Sequence, residues 1–222
     1  MSAHLQHALN DLKKRILNLS ARVEEAVQKA TEAFETCNAP MAQEIINCDV
    51  LIDMAEVEIE EECLKILALH QPVAVDLRFI VAVLKINNDL ERVGDLAVNI
   101  AERACFLATR TMPDVPFDFG YMATKVQKML KDSMDAVVEM DIQKALEVCL
   151  ADDEVDKMNA LMYDLSRQKL TEPDVDAGCL LHMLSVSRHL ERIADQATNI
   201  AEDAIYMVKG EIVRHKTEEY TR

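Results

Sequence analysis

Hydrophobic residues recur at intervals of three and four along most of the chain. In the first segment they are Leu5, Leu9, Leu12, Ile16, Leu19, Val23, Ala26, Ala30 and Ala33. This spacing predicts a long helix with a narrow apolar seam. Asn38-Ala39-Pro40 ends that helix, and a second helix is predicted from about Met41 to Leu69. His70-Gln71-Pro72 ends the second helix, and Asp76 is the predicted N-cap of a third.

The same order of helices returns in the second part of the chain. A fourth helix is predicted over about 117–139, a fifth from Asp141 to about Lys169, and a sixth that stops at Gly210. Glu172-Pro173-Asp174 separates the fifth helix from the sixth. Because the connections are short, successive helices are expected to be antiparallel neighbours. The pattern predicts an all-α fold of two tandem, pseudo-symmetric three-helix bundles, with six long helices running up and down.

The best boundary between the two bundles is the segment from Pro113 to Pro116, with Gly120 just beyond it. Such turn-forming residues are rare elsewhere in the chain, so they indicate a connection between structural units. We therefore expect a first bundle over residues 1–112, a second over 117–210 and a polar C-terminal tail over 211–222.

One stretch of the third predicted helix occurs again in the sixth. Residues 88–103 read NDLERVGDLAVNIAER and residues 188–203 read RHLERIADQATNIAED, an offset of 100 residues with nine of sixteen positions identical. A gapless repeat of this length indicates two copies of one structural unit. The identical positions include polar pairs as well as apolar ones, namely Glu91/Glu191, Asp95/Asp195 and Asn99/Asn199.

The formal net charge of −16 narrows the range of partners. Nucleic acid and anionic lipid both attract clustered Lys and Arg, so a cation or a basic protein surface fits this chain better. No apolar run reaches the roughly 20 residues of a membrane helix. The N-terminus lacks the order of a signal peptide, and the six cysteines are scattered without a Cys-x-x-Cys pair. We expect a cytoplasmic protein.

The repeated polar residues form a stripe on the predicted third helix. Glu91, Asp95 and Asn99 fall within about 80° of one another around the helix axis, apart from the apolar seam. On the second predicted helix, Asp49 and Asp53 lie in the middle of the most apolar arc. Because a buried, unpaired carboxylate is costly, such groups are normally paired with cations or bind metal.

Carboxylates and amides without His or Cys are hard ligands, which suit Mg, Ca, Mn or oxidised iron better than Zn or Cu. The candidate metal ligands are Asp49, Asp53, Glu91, Asp95, Asn99, Asp152, Asp156, Glu191, Asp195 and Asn199. The alternative interpretation of these residues is a solvated or ion-paired acidic face. A nucleophile–base pair, a Gly-rich phosphate loop and the Glu-x-x-His pattern of di-iron oxidases are all missing from the sequence. A carboxylate-bridged metalloenzyme and a metal-free helical scaffold remain alternatives to a regulatory protein.

The doubled Leu-Glu-Arg-(Val/Ile)-(Gly/Ala)-Asp, followed by Asn-Ile, resembles the PhoU family of bacterial phosphate-transport regulators. Three further segments resemble that family: Gln71-Pro72 followed by Asp76-Leu77-Arg78, the spaced acids of the second helix, and the ending from Val208 to His215. The second half departs from the first, since it lacks the Gln-Pro and Asp-Leu-Arg segment and is three residues shorter between its acidic motifs. We therefore expect its site to differ in affinity or to be unused.

The resemblance implies a non-enzymatic regulator that damps phosphate uptake and phosphate-starvation signalling when phosphate is plentiful. The implied partners are the phosphate-sensing histidine kinase and the ATPase subunit of the phosphate ABC transporter, with no nucleic acid and only peripheral membrane association. The resemblance also implies a homodimer and metal bound through the doubled Glu/Asp-x-x-x-Asp motifs, with iron, Mg, Mn or Zn as candidate ions. The surfaces that contact partners are not predicted.

Overall fold

Long apolar seams produce long helices in this protein. The computed structural model describes residues 3–211, within which seven helical segments and no strands occur. They are α1 (Ala3–Glu35), α2 (Ala39–Cys48), α3 (Val50–His70), α4 (Ala74–Leu107), α5 (Phe119–Glu139), α6 (Ile142–Lys169) and α7 (Ala177–Lys209). The predicted all-α fold class is confirmed. Apart from Glu211, the predicted tail over 211–222 lies outside the described residues.

Short polar side chains start several of these helices. An Asn or Asp side chain at the N-cap accepts a hydrogen bond from a backbone N–H of the first turn, which satisfies a donor that the helix leaves unpaired. These N-caps are Asn38 for α2, Asp118 for α5, Asp141 for α6 and Asp176 for α7. At the other end of α7, Gly210 adopts a left-handed conformation with φ of 74°, as its predicted role as a helix stop requires.

Two sequence predictions about helix ends were wrong in detail. The second predicted helix is interrupted at Asp49, which separates α2 from α3 while keeping a right-handed helical conformation. The carbonyl of Asp49 accepts hydrogen bonds from the N–H groups of both Ile52 and Asp53, so the regular helical hydrogen-bond pattern is disturbed there. No Pro or Gly marks this position in the sequence. Asp76 is not an N-cap. Val73 holds that position in extended backbone, and Asp76 lies in the first turn of α4, where its charge favours the helix dipole.

The helices pack as two bundles, α1–α4 and α5–α7, which meet along their longest helices. The α2–α3 pair packs against both α1 and α4, which also contact each other directly, and α6 packs beside α5 and α7. The two units contact each other chiefly through α4 against α7, with α1 also touching α5. Buried apolar residues form one continuous cluster through both units. Within the described residues, no helix is both long and apolar enough to cross a bilayer.

The α4–α7 contact contains an ion pair as well as apolar surface. Lys85 of α4 lies 2.8 Å from a carboxylate oxygen of Asp203 on α7, and the Asp203 side chain is only 4% exposed. The Lys85 ammonium also lies 4.9 Å from the centre of the Tyr206 ring. Further along the same contact, Phe106 stacks on His182 with 3.7 Å between ring centres. These contacts hold α4 against α7 and so position one unit against the other.

Candidate metal centres

The first acidic cluster lies where α3 packs against α4. It consists of Asp49, at the start of α3, and Asp53 and Glu56 within α3, facing Glu91 and Asp95 of α4. The Asn87 side chain donates a hydrogen bond to the Glu56 carbonyl over 2.9 Å, which holds the two helices in register beside the cluster.

Gly94 allows α3 to approach α4 closely at this point. A Cβ at residue 94 would lie 3.2 Å from two side-chain carbons of Ile52 and 3.7 Å from a carboxylate oxygen of Asp49. The first of these distances is shorter than most carbon contacts in packed proteins, so any larger residue requires Ile52 to move. The glycine in the first copy of the repeat is therefore explained by packing beside the carboxylates.

The second acidic cluster lies between α6 and α7 and consists of Asp152, Asp156, Glu191 and Asp195. A side-chain hydrogen bond again joins the two helices beside it, since Ser187 Oγ donates to Asn159 Oδ1 over 3.0 Å. The residue that corresponds to Gly94 is Ala194, which is fully buried. The residue that corresponds to Ile52 is the smaller Val155, so one methyl group has moved from α3 to the α7 side of the second copy.

Burial and mutual repulsion act together on the first cluster. Burial raises the pKa of Asp49, and the charges of Asp53 and Asp95 raise it further. Burial also raises the pKa of Glu91, followed by the charges of Asp95, Glu56 and Asp53, while Arg92 lowers it by less. Because the charge of Asp95 on α4 affects Asp49 on α3, the two acidic stripes face each other across the helix contact.

The second cluster is more strongly perturbed. Burial, then the charges of Asp156, Asp195, Asp153 and Glu191, raise the pKa of Asp152 to about 7. Burial also raises the pKa values of Glu191 and Asp195, and the nearby arginines do not offset it. Among the described residues, Asp152 Oδ1 is buried with no hydrogen-bond partner. Asp152 is therefore a half-buried carboxylate with an unpaired oxygen, in surroundings where negative charge outweighs positive charge.

Not every predicted ligand contributes in the same way. Asp49, Glu91, Asp152 and Glu191 are half-buried, whereas Asp53, Asp95, Asp156 and Asp195 are largely exposed. The exposed carboxylates act on the half-buried ones through their charge. The amide of Asn99 is used within α4, since it donates to the Asp95 carbonyl over 2.8 Å. Asn199 is half-buried on α7. Glu56 belongs to the first cluster although it is missing from the predicted set, and its position on the same helical arc as Asp53 was the available signal.

The carboxylates of each cluster influence one another through their charges, but they do not form a complete metal coordination shell. Within residues 3–211, no group of three or more His, Cys, Asp or Glu side chains closes around a point that could hold a metal ion. Carboxylates that repel one another spread apart, and a cation between them removes that repulsion. Oxygen ligands on facing helices, one helical turn apart, can bridge hard cations such as Mg, Mn or oxidised iron.

Tandem three-helix units, each with a facing pair of carboxylate stripes, define a class of all-α proteins with two copies of one acidic face. Comparison with known families specifies that class. The family described as PhoU domain matches residues 16–104 and 120–204, one match in each half. The chain belongs to this family.

Individual relatives agree over nearly the whole chain. A phosphate-specific transport system accessory protein PhoU homolog of Aquifex aeolicus is 41% identical over 94% of both chains. A PhoU homolog of Clostridium acetobutylicum is 37% identical over 92% of this chain and 94% of its own. The crystal structure of PhoU from Pseudomonas aeruginosa superimposes with a TM-score of 0.88 at 33% identity, covering 93% of this chain and 99% of the other.

Proposed function

We propose that the protein is a non-enzymatic accessory protein of the phosphate-specific transport system. It damps phosphate uptake and phosphate-starvation signalling when phosphate is plentiful. The observation that carries this proposal is the similarity over nearly the full length to proteins named as accessory proteins of that system. That name also favours a non-enzymatic role over the carboxylate-bridged metalloenzyme considered from the sequence.

The proposed partners are the ATPase subunit of the phosphate transporter and the phosphate-sensing histidine kinase. In this proposal the protein acts in the cytoplasm as a homodimer and meets the membrane only through these partners. Its charge of −16 suits a role in which it binds proteins and cations rather than nucleic acid.

The test of this proposal is a reconstitution with purified components at high phosphate. The protein is added to the transporter in vesicles and to the kinase in nanodiscs, while phosphate uptake and kinase autophosphorylation are measured. We expect binding to at least one of them and a fall in its activity. A protein that binds neither and changes neither rate would refute the proposed function.

We further propose that the two acidic clusters bind metal ions. The orphaned Asp152 oxygen and the raised pKa values of the facing carboxylates fit a cation, and the all-oxygen donor set fits a hard one. Asp49, Asp53, Glu91 and Asp95 would hold metal in the first cluster, and Asp152, Asp156, Glu191 and Asp195 in the second. Bound metal would neutralise these charges and join α3 to α4 and α6 to α7.

Metal content measured by mass spectrometry separates this proposal from a metal-free scaffold. Protein purified without chelator is compared with the Asp95→Asn, Asp195→Asn double variant. We expect the wild type to retain iron, Mg, Mn or Zn and the double variant to retain less than half as much. Equal, near-zero content in both, with no uptake on addition of these ions, favours the scaffold.

A further inference from the structure

One face of α3 carries apolar side chains in solvent. Six of its apolar residues are each about half or more exposed, among them Leu51 at 49% and Met54 at 57%. We call five of them, Val50, Leu51, Met54, Val57 and Leu64, the α3 apolar strip; the sixth is Leu69, next to the end of the helix. Leu51 and Met54 lie about 100° or more from Asp53 around the helix axis, whereas Val57 and Leu64 border the acidic stripe. Leu51 and Met54 are neighbours on the helix surface, and adjoining exposed apolar residues mark an interaction surface more often than residues scattered singly do.

The second copy of the repeat shows that the fold does not require this strip. Asp49 and Asp53 correspond to Asp152 and Asp156, an offset of 103 residues. At that offset, α6 carries exposed residues that are small or charged where α3 carries its apolar strip. They are Asp153, Glu154, Lys157, Ala160 and Arg167. The apolar strip is therefore specific to the first bundle.

The contacts of these residues also differ between the two copies, polar in α6 and apolar in α3. Glu154, which corresponds to Leu51, forms an ion pair with Lys125 of α5 and accepts a hydrogen bond from Tyr121 over 3.0 Å. These contacts join α6 to α5 at the surface. At the corresponding place in the first bundle, Leu51 and Met54 line a groove between α3 and α1 with a volume of about 370 Å³. One copy thus closes this surface with an ion pair, and the other leaves an apolar groove.

The α1 wall of this groove is basic, in a protein of net charge −16. Lys14, Arg15 and Arg22 line it, and Glu58 is the one carboxylate among its lining residues. Arg15 lies 3.5 Å from Glu58, an exposed ion pair of little energetic consequence. Lys14 lies 3.6 Å from Asp11, which is outside the groove lining. The groove therefore pairs an apolar wall with a wall that carries excess positive charge.

We propose that the α1–α3 groove docks an amphipathic helix of a partner protein, one whose apolar face is bordered by acidic residues. Apolar anchors of that helix would pack on Leu51 and Met54, and its carboxylates would face Lys14 and Arg15. This inference rests on the proposed function, because the partner is taken to be the transporter ATPase or the sensor kinase.

Two other occupants fit the groove less well. An anionic membrane would meet the three basic residues but also the large negative charge of the rest of the protein. A concave cavity with an apolar wall also suits discrete side chains, as in helix-in-groove recognition, better than a flat lipid surface. In a two-fold pairing of this groove with that of a second copy, the basic α1 walls of both copies would be brought close together, which repels.

The experiment measures partner binding by two groove variants and a matched control. Leu51→Glu with Met54→Lys introduces on α3 the residues that α6 carries at the same places, so it removes apolar contact without changing net charge. Lys14→Glu with Arg15→Glu reverses the basic wall. The control, Leu161→Glu with Tyr163→Lys, makes the same chemical change at two exposed apolar residues of α6. Circular dichroism and thermal unfolding verify that each variant folds.

Binding is measured by surface plasmon resonance against the immobilised ATPase subunit and the kinase in nanodiscs. We expect the Leu51/Met54 variant to raise Kd about tenfold or more for the partner that binds, as loss of interface anchors does. The Lys14/Arg15 variant should weaken binding most at low salt, whereas the control should bind as the wild type does.

Each other outcome has a distinct meaning. Wild type that binds a partner, together with groove variants that bind it equally well, overturns the groove assignment and leaves the proposed function intact. Wild type that binds neither partner overturns the proposed function and this inference with it. If the groove variants instead lose binding to anionic vesicles, or change a dimer to a monomer in sedimentation, the groove belongs to lipid or to a second copy and the proposal is wrong.

Discussion

Asp152→Asn should stabilise the metal-free protein at neutral and alkaline pH. The pKa of Asp152 rises from its ordinary 3.8 to about 7 in the folded state. At about 1.4 kcal/mol per pKa unit, this difference corresponds to about 4 kcal/mol for a fully buried group. Partial solvent exposure reduces it to about 2 kcal/mol.

The raised pKa of Asp152 determines how its contribution to stability changes with pH. Between about pH 4 and pH 7 the folded protein keeps a proton that the unfolded chain releases, so the Asp152 contribution to stability falls as pH rises. Asparagine does not titrate. The advantage of the variant should therefore be small near pH 4, grow to about 2 kcal/mol by pH 7, and stay constant above it.

Urea unfolding in the presence of chelator, followed by circular dichroism from pH 4.5 to pH 8.5, measures this difference. Glu147→Gln, an exposed carboxylate of α6 outside the cluster, is the matched control and should change stability by less than about 0.5 kcal/mol at every pH. If Asp152→Asn is less stable than the wild type at pH 8, then the carboxylate is stabilised as an anion. The conclusion that burial and neighbouring carboxylates destabilise the charged form of Asp152 would then be wrong.

Three further predictions concern packing and the contact between bundles. Gly94→Ala should cost stability through contact with Ile52, and adding Ile52→Val should recover about 1 kcal/mol of that loss in a double-mutant cycle, because the second copy already pairs Ala with Val. Additive effects in urea unfolding would contradict this. Lys85→Met should destabilise the protein by about 2 kcal/mol, since it takes the ammonium from the buried Asp203 carboxylate. A neutral effect on the unfolding midpoint would show that the pair contributes nothing. Burial and the charges of Arg103, Arg192 and Arg188 lower the pKa of His189 to about 4, so its ring NMR signals should stay constant from pH 8 to pH 5.5; a midpoint near 6.5 would contradict this burial.

The helix pattern made most of the fold predictable. Several of its features depend only on residue type and spacing along the chain. They are the apolar seam from Leu5 to Ala33, the breaks at Asn38 and Pro173, and the stop at Gly210. The interruption at Asp49 was not predictable, because it depends on how α2 and α3 pack against α4 rather than on a Pro or Gly. The error at Asp76 has a local origin, since extended backbone at Val73, after Pro72, lets α4 begin at Ala74, before its first acidic residue.

The acidic sites were partly predictable for the same reason. The repeat and the helical projection identified which acids share a face, since both depend only on spacing. They could not show that the stripes of α3 and α4 face each other, because that depends on tertiary packing around Gly94. Nor could they show that the second cluster is the more strongly perturbed one, with burial of Asp152 as the largest cause.

Cation binding measured for each acidic cluster separately shows whether the clusters are metal sites. Three chelator-treated proteins are dialysed at pH 7.5 against Mn, Mg, Zn and iron salts, and the bound metal is counted. They are the wild type, the Asp49→Asn, Asp95→Asn double variant and the Asp152→Asn, Asp195→Asn double variant. We expect uptake by the wild type and a loss in each variant confined to its own cluster, so that the two losses sum to the wild-type content. No uptake of any of these ions by the wild type, or equal uptake by all three proteins, would contradict this expectation.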